Sequence, residues 1–165
     1  MEQVYLAEER NETSEMLIRY TLRMIRIERL TKADPKVLEE LVALSRALHE
    51  DERTMSLEEL KKLMADENAL VVVAEGDTGI IGMATLYILH KIGNIKAYVE
   101  DVIVDAAHRG EGLGEKLMHA LLEAARERGV NSVSLTSRAE RVAAHALYDK
   151  LGFKKRDTHY FRISL

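Results

Sequence analysis

The feature that most restricts the fold is one succession of patterns between residues 95 and 137. A strand pattern at 95–104 leads into a glycine-rich segment, then an amphipathic helix pattern at 113–128, then a second strand pattern at 130–137. A strand, a helix and a strand joined in this way form a crossover, which makes the two strands parallel and the connection right-handed. A chain with such a unit is therefore an α/β or α+β protein built around a sheet.

Further strand and helix patterns lie on both sides of this unit. Residues 24–30 alternate apolar and charged side chains, which predicts a strand with one buried face. The β-branched run at 69–74 predicts a well-buried strand, and glycine-containing turns connect it to two further strands. The predicted order is β-α-α-β-β-β-α-β-α-β around a mixed central sheet. Its elements lie at 24–30, 35–48, 56–64, 69–74, 80–89, 95–104, 113–128, 130–137, 140–151 and 153–163.

Short motifs predict where the helices begin and end. Asp34 precedes a proline, an order that suits an N-cap followed by the first helical position. Ser56 precedes Glu59 by three residues, which is the spacing of a capping box. Gly129 and Gly152 are predicted to end the two helices nearer the C-terminus, because glycine readily adopts the conformation that terminates a helix.

Length and charge predict a single domain without nucleic-acid or membrane partners. The chain has 165 residues, a net charge of −4 and a pI of about 5.9, so it lacks a general attraction for polyanions. No apolar run approaches the roughly 20 residues that span a bilayer. We assign residues 23–165 to the domain and expect a cytoplasmic protein. The acidic segment 1–22 is an N-terminal extension of undefined structure.

Composition excludes several kinds of site. The chain has no cysteine, which rules out disulfides, thiolate metal ligands and a cysteine nucleophile. Its six histidines show no spacing typical of a zinc site, so no metal is predicted. No Gly-x-Ser-x-Gly sequence is present, so nothing indicates a serine hydrolase.

The segment HRGEGLGEKL at 108–117 joins a strand to a helix. Backbone N–H groups at a helix N-terminus attract anions, and glycines let a phosphate approach the backbone closely. Arg109 adds a charged donor beside them. A Walker loop needs Gly-Lys-Ser/Thr and a dinucleotide fingerprint needs Gly-x-Gly-x-x-Gly, whereas the spacing here is Gly110-x-Gly112-x-Gly114. The residues alone leave open an anion cradle, a hinge and a plain glycine turn that begins a helix.

Two motifs together resemble one family. Arg109-x-x-Gly112-x-Gly114 follows the strand VEDVIVD at 99–105, and ALYDKLGF occupies 146–153. In this order they are similar to the acetyl-CoA signature and the LYxKLGF segment of the GNAT N-acetyltransferase superfamily. The order of elements from residue 24 onward also resembles that family. The resemblance implies a GNAT N-acetyltransferase domain with a mixed central sheet.

The resemblance implies acetyl-CoA as co-substrate and assigns its contacts. Backbone groups of the strand at 102–104 would bind the acetyl carbonyl and the pantetheine arm. The glycine loop would hold the pyrophosphate through its N–H groups, with Lys116 at its edge. Arg141 stands where some relatives carry a cofactor-binding asparagine, and it would meet a CoA phosphate or solvent. The implied cofactor-binding residues are Val102, Ile103, Val104, Arg109, Gly110, Glu111, Gly112, Leu113, Gly114, Glu115 and Arg141.

The resemblance also implies catalytic residues. The tyrosine that matches Tyr148 commonly protonates the departing thiolate, and a phenol suits this role because its ordinary pKa is about 10. Glu100 matches a position where some members place a catalytic glutamate, and burial would raise the pKa of such a carboxyl group. Asp101 is the second choice, because in a regular strand it would point to the opposite face. Tyr148 packed on its helix, and Glu100 as a strand residue or substrate clamp, are the alternatives.

The predicted function is transfer of acetyl from acetyl-CoA to a primary amine in a ternary complex. Direct attack is favoured because the absence of cysteine removes the commonest acyl-enzyme route. The alternatives are a non-catalytic acyl-CoA-binding or regulatory module and a nucleotide-binding protein that uses the same loop. Glu50, Asp51, Glu52, Glu58 and Glu59 lie where the family recognises its substrates, so we expect attraction of a cationic amine, free or on a peptide or protein. The identity of the amine and the formation of a homodimer stay open.

Overall fold

The computed structural model describes residues 25–49 and 54–164. It divides into two compact units, with the division between Leu135 and Thr136. The acidic segment 1–22 and the residues Glu50, Asp51 and Glu52 lie outside the described residues. The domain boundary at residue 23 and the attraction of amines by these carboxylates therefore stay predictions.

The first unit contains a five-stranded sheet whose strands follow one another in chain order. The first four strands pair antiparallel, and the fifth pairs parallel to the fourth, as the crossover predicts. The mixed α/β fold is therefore confirmed. The strands are β1 (Arg26–Arg29), β2 (Ala69–Gly76), β3 (Gly79–Lys91), β4 (Asn94–Val104) and β5 (Ser132–Leu135).

The helices of this unit begin where the capping motifs predict. Asp34 Oδ1 accepts the Val37 N–H at 3.0 Å. Ser56 and Glu59 form both hydrogen bonds of a capping box, at 3.2 and 2.7 Å. None of the helices in the described residues has the length and apolar character needed to cross a membrane. The helices are α1 (Pro35–His49), α2 (Leu57–Ala65) and α3 (Leu113–Glu127), with a short 3-10 helix at Ala106–His108.

Two of the acidic residues that were expected to attract an amine take part in local interactions of α2. The backbone N–H of Ser56 donates to Glu59, and this hydrogen bond lowers the pKa of the Glu59 carboxyl group. Glu58 Oε1 lies 2.8 Å from Lys61 Nζ. Both carboxylates therefore interact with groups of their own helix. These local interactions weaken the part that Glu58 and Glu59 could play in attracting a cationic amine.

The two faces of the sheet are covered by different helices. Gly82 of β3 faces α3, because a Cβ at this position would lie 3.3 Å from Leu117 Cδ1. Since side chains alternate along a strand, Met83 and the odd-numbered residues after it face α1 and α2. The core on that side contains Leu30, Leu41, Leu44, Leu60, Val71, Val73, Met83 and Ile103. The buried residues of α3 are Leu113, Leu117, Met118, Leu121 and Ala125.

Glu40 joins α1 to the turn between β2 and β3. Its Oε2 accepts the Ile80 N–H at 3.1 Å, and its Oε1 lies 3.5 Å from Lys36 Nζ. Gly79, the residue before Ile80, has a φ of +121° and leaves the space that this carboxylate occupies. The approach of the helix to the turn therefore depends on a glycine.

The second unit contains α4 (Val142–Lys150) and the residues that follow it. Gly152 has a φ of +86°, as expected for a glycine that ends a helix. The strand predicted at 153–163 does not form: residues 153–164 adopt neither helix nor strand, and none of them joins the sheet. Its large apolar side chains are not packed against a core, since Tyr160, Phe161 and Ile163 are 79%, 88% and 82% exposed. A strand also needs a partner that satisfies its backbone N–H and C=O groups.

Candidate functional site

The predicted anion cradle lies between the end of β4 and the start of α3. Gly110 and Gly112 have φ angles of +83° and +74°, in the left-handed region that favours glycine. Helix α3 begins at Leu113, with Gly112 as its N-cap and Gly114 in its first turn. The positive φ angles therefore favour glycine at positions 110 and 112. Gly114 lies inside the helix and has no such requirement.

The first turn of α3 presents backbone N–H groups to a ligand. The Ser56 side chain caps α2, whereas Gly112 provides no such group to α3. The N–H of Lys116 donates to the Gly112 carbonyl at 3.1 Å, and the N–H groups before it lie at the positive end of the helix dipole. A Cβ on Gly110 or Gly112 would meet no protein atom within 4 Å. This space, next to helix N–H groups, suits an anion.

Hydrogen bonds hold the cradle to the end of the sheet. The Asp105 N–H donates to the Ile81 carbonyl at 2.8 Å, and the Asp105 side chain accepts the Ala107 N–H at 2.8 Å. Arg109 Nε donates to the Val104 carbonyl at 3.2 Å. The guanidinium group is therefore fixed beside the last residue of β4, at the entrance to the glycine loop.

Strand β4 contains a bulge immediately before the stretch predicted to bind the acetyl group. Thr85 pairs with Glu100 and Met83 pairs with Ile103, so three steps along β4 match two steps along β3. Within the bulge, Asp101 has a φ of +52°, the one positive value at a non-glycine residue in the described part of the chain. The strand is not regular here. The argument that Asp101 faces away from Glu100 therefore does not hold.

Beyond the bulge, β4 separates from β5. Their parallel ladder ends with the pair Val99 and Leu135. Within the described residues, β4 continues to Val104 without a partner strand on that edge. An extended ligand that carries amide groups can bind such an edge in the manner of an added strand. The stretch 102–104, predicted to bind the co-substrate through its backbone, lies on this edge.

Glu100, the predicted base, lies at the start of the bulge opposite Thr85. Glu100 is exposed, whereas Thr85 is only 3% exposed. The burial expected for Glu100 is therefore not found, and the orientation of this exposed carboxylate depends on neighbouring groups. Sequence reasoning missed one such neighbour, Tyr87, which lies two residues along β3 on the same face.

The sequence profile of the Acetyltransferase (GNAT) family matches residues 35–153. The chain belongs to this family. The matched residues include the bulge of β4, the glycine cradle and the segment ALYDKLGF, which are the parts on which the resemblance in the sequence rests. The prediction of a GNAT fold is thus confirmed.

Similar proteins are N-acetyltransferases of several kinds. The chain is 39% identical over 106 residues to glucosamine 6-phosphate N-acetyltransferase 1 of Oryza sativa subsp. japonica, a match that covers 61% of each chain. It is 37% identical over 60 residues to the ribosomal protein bS18-alanine N-acetyltransferase of Escherichia coli, covering 36% of this chain and 40% of that protein. The chain thus spans less than two thirds of the length of either relative.

A solved structure is similar over most of the chain. An aminoglycoside acetyltransferase from an uncultured soil metagenomic sample, in complex with trehalose, matches with a TM-score of 0.75 at 26% identity. The match covers 86% of this chain and 97% of that one. The GNAT fold therefore extends beyond the segments that align in sequence with the named relatives.

In this GNAT chain, most of the predicted residues lie in one continuous stretch of the first unit. The stretch runs from Glu100, through 102–104, to the loop at 109–115, which includes Glu111 and Glu115. Leu113 is 2% exposed and belongs to the core under α3, so only its backbone is available to a ligand. Among the described residues, no group of three or more histidine, aspartate or glutamate side chains is arranged to hold a metal.

The other two predicted residues, Tyr148 and Arg141, belong to the second unit of this GNAT chain. Arg141 is the N-cap residue of α4. The half-buried ring of Tyr148 lies 5.9 Å from that of Phe153, at an interplanar angle of 63°. The Phe153 N–H also donates to the Tyr148 carbonyl at 3.0 Å. Packing inside the ALYDKLGF segment therefore orients the phenol.

Proposed function

We propose that the protein is an acetyl-CoA-dependent N-acetyltransferase that acetylates a primary amine by direct attack in a ternary complex. The observation that carries this proposal is the continuity of two features. The edge of β4 beyond Val99, where the described part of the chain provides no partner strand, leads directly into the glycine cradle of α3. An extended chain of amides ending in a pyrophosphate matches this succession of an open strand edge and an anion site.

The cradle residues have distinct tasks in this proposal. The backbone of 110–115 binds the pyrophosphate, and Arg109 adds a charged donor from the side. Backbone N–H groups of 102–104 polarise the acetyl carbonyl and hold the pantetheine amides. Arg141 at the start of α4 is assigned to a CoA phosphate. Acetyl-CoA supplies the thioester, and the protein supplies binding, orientation and proton transfer.

The chemical step requires two proton transfers. An ammonium nitrogen of the acceptor releases one proton to Glu100, or to Asp101 as the second choice, and the neutral amine attacks the thioester carbonyl. A C–N bond forms as the C–S bond breaks, and Tyr148 gives its proton to the departing thiolate. Much of the rate comes from holding amine and thioester in attack geometry.

Glucosamine 6-phosphate and protein alanine appear in the names of the relatives, and both offer an amine. The test of the proposal is to incubate the protein and acetyl-CoA with a panel of amines: glucosamine 6-phosphate, aminoglycosides, polyamines, amino acids and peptides with a free N-terminus. We expect amine-dependent release of CoA and an acetylated product with at least one class. Binding of acetyl-CoA without release of CoA by any amine would indicate a non-catalytic module. ATP or NAD binding that acetyl-CoA does not displace would indicate a nucleotide-binding protein.

Gly112→Ala should raise the Kd for acetyl-CoA by on the order of tenfold or more. The new methyl group projects into the space assigned to the pyrophosphate, where no protein atom lies within 4 Å. The left-handed conformation of an alanine costs about 1–2 kcal/mol of stability. Calorimetric titration with acetyl-CoA and thermal unfolding measure the two effects separately.

Gly129→Ala is the matched control for this change. Gly129 has a φ of +68°, lies at the other end of α3, and its Cβ would also meet no atom within 4 Å. We expect a similar loss of stability with an unchanged Kd for acetyl-CoA. Equal affinities in the two variants would contradict the assignment of the cradle.

A further inference from the structure

Tyr87 lies at the margin of the face of the sheet that α1 and α2 cover. It is placed on β3 between Ala69 of β2 and Tyr98 of β4. Two residues before it, Thr85 is 3% exposed, and two residues after it, Leu89 is 44% exposed. Tyr87 itself is half-buried. Its ring therefore stands where the buried core gives way to solvent.

The register of the sheet makes Tyr87 a neighbour of the predicted base. Thr85 lies directly opposite Glu100, and Tyr87 lies directly opposite Tyr98. Tyr87 and Glu100 are thus diagonal neighbours on one face. The backbones of such diagonal neighbours on adjacent strands are about 7–8 Å apart, a distance that the side chains of tyrosine and glutamate can bridge.

Three carboxylates act on the phenol of Tyr87. Burial, and after it the charges of Asp101, Glu100 and Asp66, raises the pKa of Tyr87 above its ordinary value of 10.0. Asp101 and Glu100 belong to β4, Asp66 follows α2, and the neighbour on β2, Ala69, carries no charge. The phenol therefore keeps its proton at neutral pH and can donate a hydrogen bond, whereas an ionised carboxylate can only accept one.

We propose that Tyr87 is a positioning residue for Glu100, to whose carboxylate its O–H donates while that carboxylate receives the proton of the substrate ammonium group. This inference rests on the proposed function. The proton passes from the ammonium nitrogen to a Glu100 oxygen, and Tyr87 keeps its own proton throughout. A donated hydrogen bond orients an exposed carboxylate and stabilises its ionised form.

The first test is the pH profile of kcat/KM. Removal of the donor in Tyr87→Phe should raise the pKa of the accepting carboxylate, so the acidic limb should move to higher pH by about one unit. At a pH below the limb, kcat/KM then falls about tenfold, with the KM for acetyl-CoA unchanged. Tyr98→Phe is the control, since Tyr98 lies opposite Tyr87 on the same face and is 40% exposed. We expect it to keep the wild-type profile.

The second test requires no substrate. The difference between the alkaline phenolate titrations of the wild type and Tyr87→Phe isolates the titration of Tyr87. Glu100→Gln should shift this titration to lower pH, because it removes a negative charge next to the phenol. A titration of Tyr87 that does not respond to Glu100→Gln overturns the inference.

The outcomes separate the inference from the proposed function. If the wild type acetylates an amine and Tyr87→Phe keeps its acidic limb, or Tyr98→Phe moves it equally, the positioning role is overturned and the proposed function stands. If the wild type acetylates no amine in the panel, the proposed function is overturned, and the inference with it.

Discussion

Tyr148→Phe should lower kcat by on the order of 100-fold, because it removes the group proposed to protonate the departing thiolate. Phenylalanine keeps the ring that packs edge-on against Phe153 at 5.9 Å, so α4 should remain folded. The Kd for acetyl-CoA should not change. Steady-state kinetics with the best amine of the panel, together with calorimetric binding of acetyl-CoA, measure the two quantities.

Tyr160→Phe is the control for this variant. Tyr160 belongs to the same unit, is 79% exposed, and loses the same hydroxyl group. We expect wild-type kcat. If kcat is unchanged in Tyr148→Phe as well, Tyr148 has no part in the chemical step, and its packing against Phe153 is its role.

Gly79→Ala should destabilise the protein by about 3 kcal/mol, which corresponds to a decrease in Tm of roughly 10 °C. Gly79 has a φ of +121°, which an alanine adopts only under strain. Its Cβ would also collide with the Glu40 carboxylate. Glu40 can move away, but its hydrogen bond with the Ile80 N–H is then lost. Urea and thermal unfolding, followed by circular dichroism, measure the effect.

Two further variants divide this loss into its causes. Gly93→Ala introduces a methyl group at a φ of +82° where no atom lies within 4 Å, so it reports the cost of a left-handed conformation without a collision. We expect a cost of about 1–2 kcal/mol, which is a lower bound for the strain at the φ of +121° of Gly79. The second variant is the double substitution Gly79→Ala, Glu40→Ala, in which the carboxylate that would collide with the new methyl group is absent. Glu40→Ala should therefore lower the free energy of unfolding less in the Gly79→Ala background than in the wild type. Additive losses would show that the carboxylate does not contact this turn.

Much of the fold could be predicted because its signals are local. Asp34, Ser56 and Glu59 satisfy helix N–H groups within three residues, and the structure has these contacts. The crossover from β4 through α3 to β5 follows from the strand, helix and strand patterns alone. The prediction of a strand at 153–163 was wrong because a strand also needs a partner, and the residues of one segment do not show whether a partner is within reach.

The site was predictable in part. The glycines at 110 and 112 indicated an anion cradle, which stays a prediction, and their positive φ angles give a backbone reason for glycine at both positions. The bulge was missed because Asp101, a non-glycine residue at a φ of +52°, leaves no pattern in the sequence. Tyr87 could have been found. Lys91 pairs with Asn94 across a two-residue loop, and counting back from that pair places Tyr87 diagonal to Glu100.

The order of the strands in the sheet has a consequence for the way the chain assembles. Because β2, β3 and β4 follow one another through two-residue turns, each of these strands can join the preceding one soon after synthesis. The two outer strands need longer closures: β1 is separated from β2 by α1 and α2, and β5 is separated from β4 by α3. The antiparallel core of β2 to β4 should therefore form early, and the parallel pair of β4 and β5, which ends where the proposed site begins, should form later.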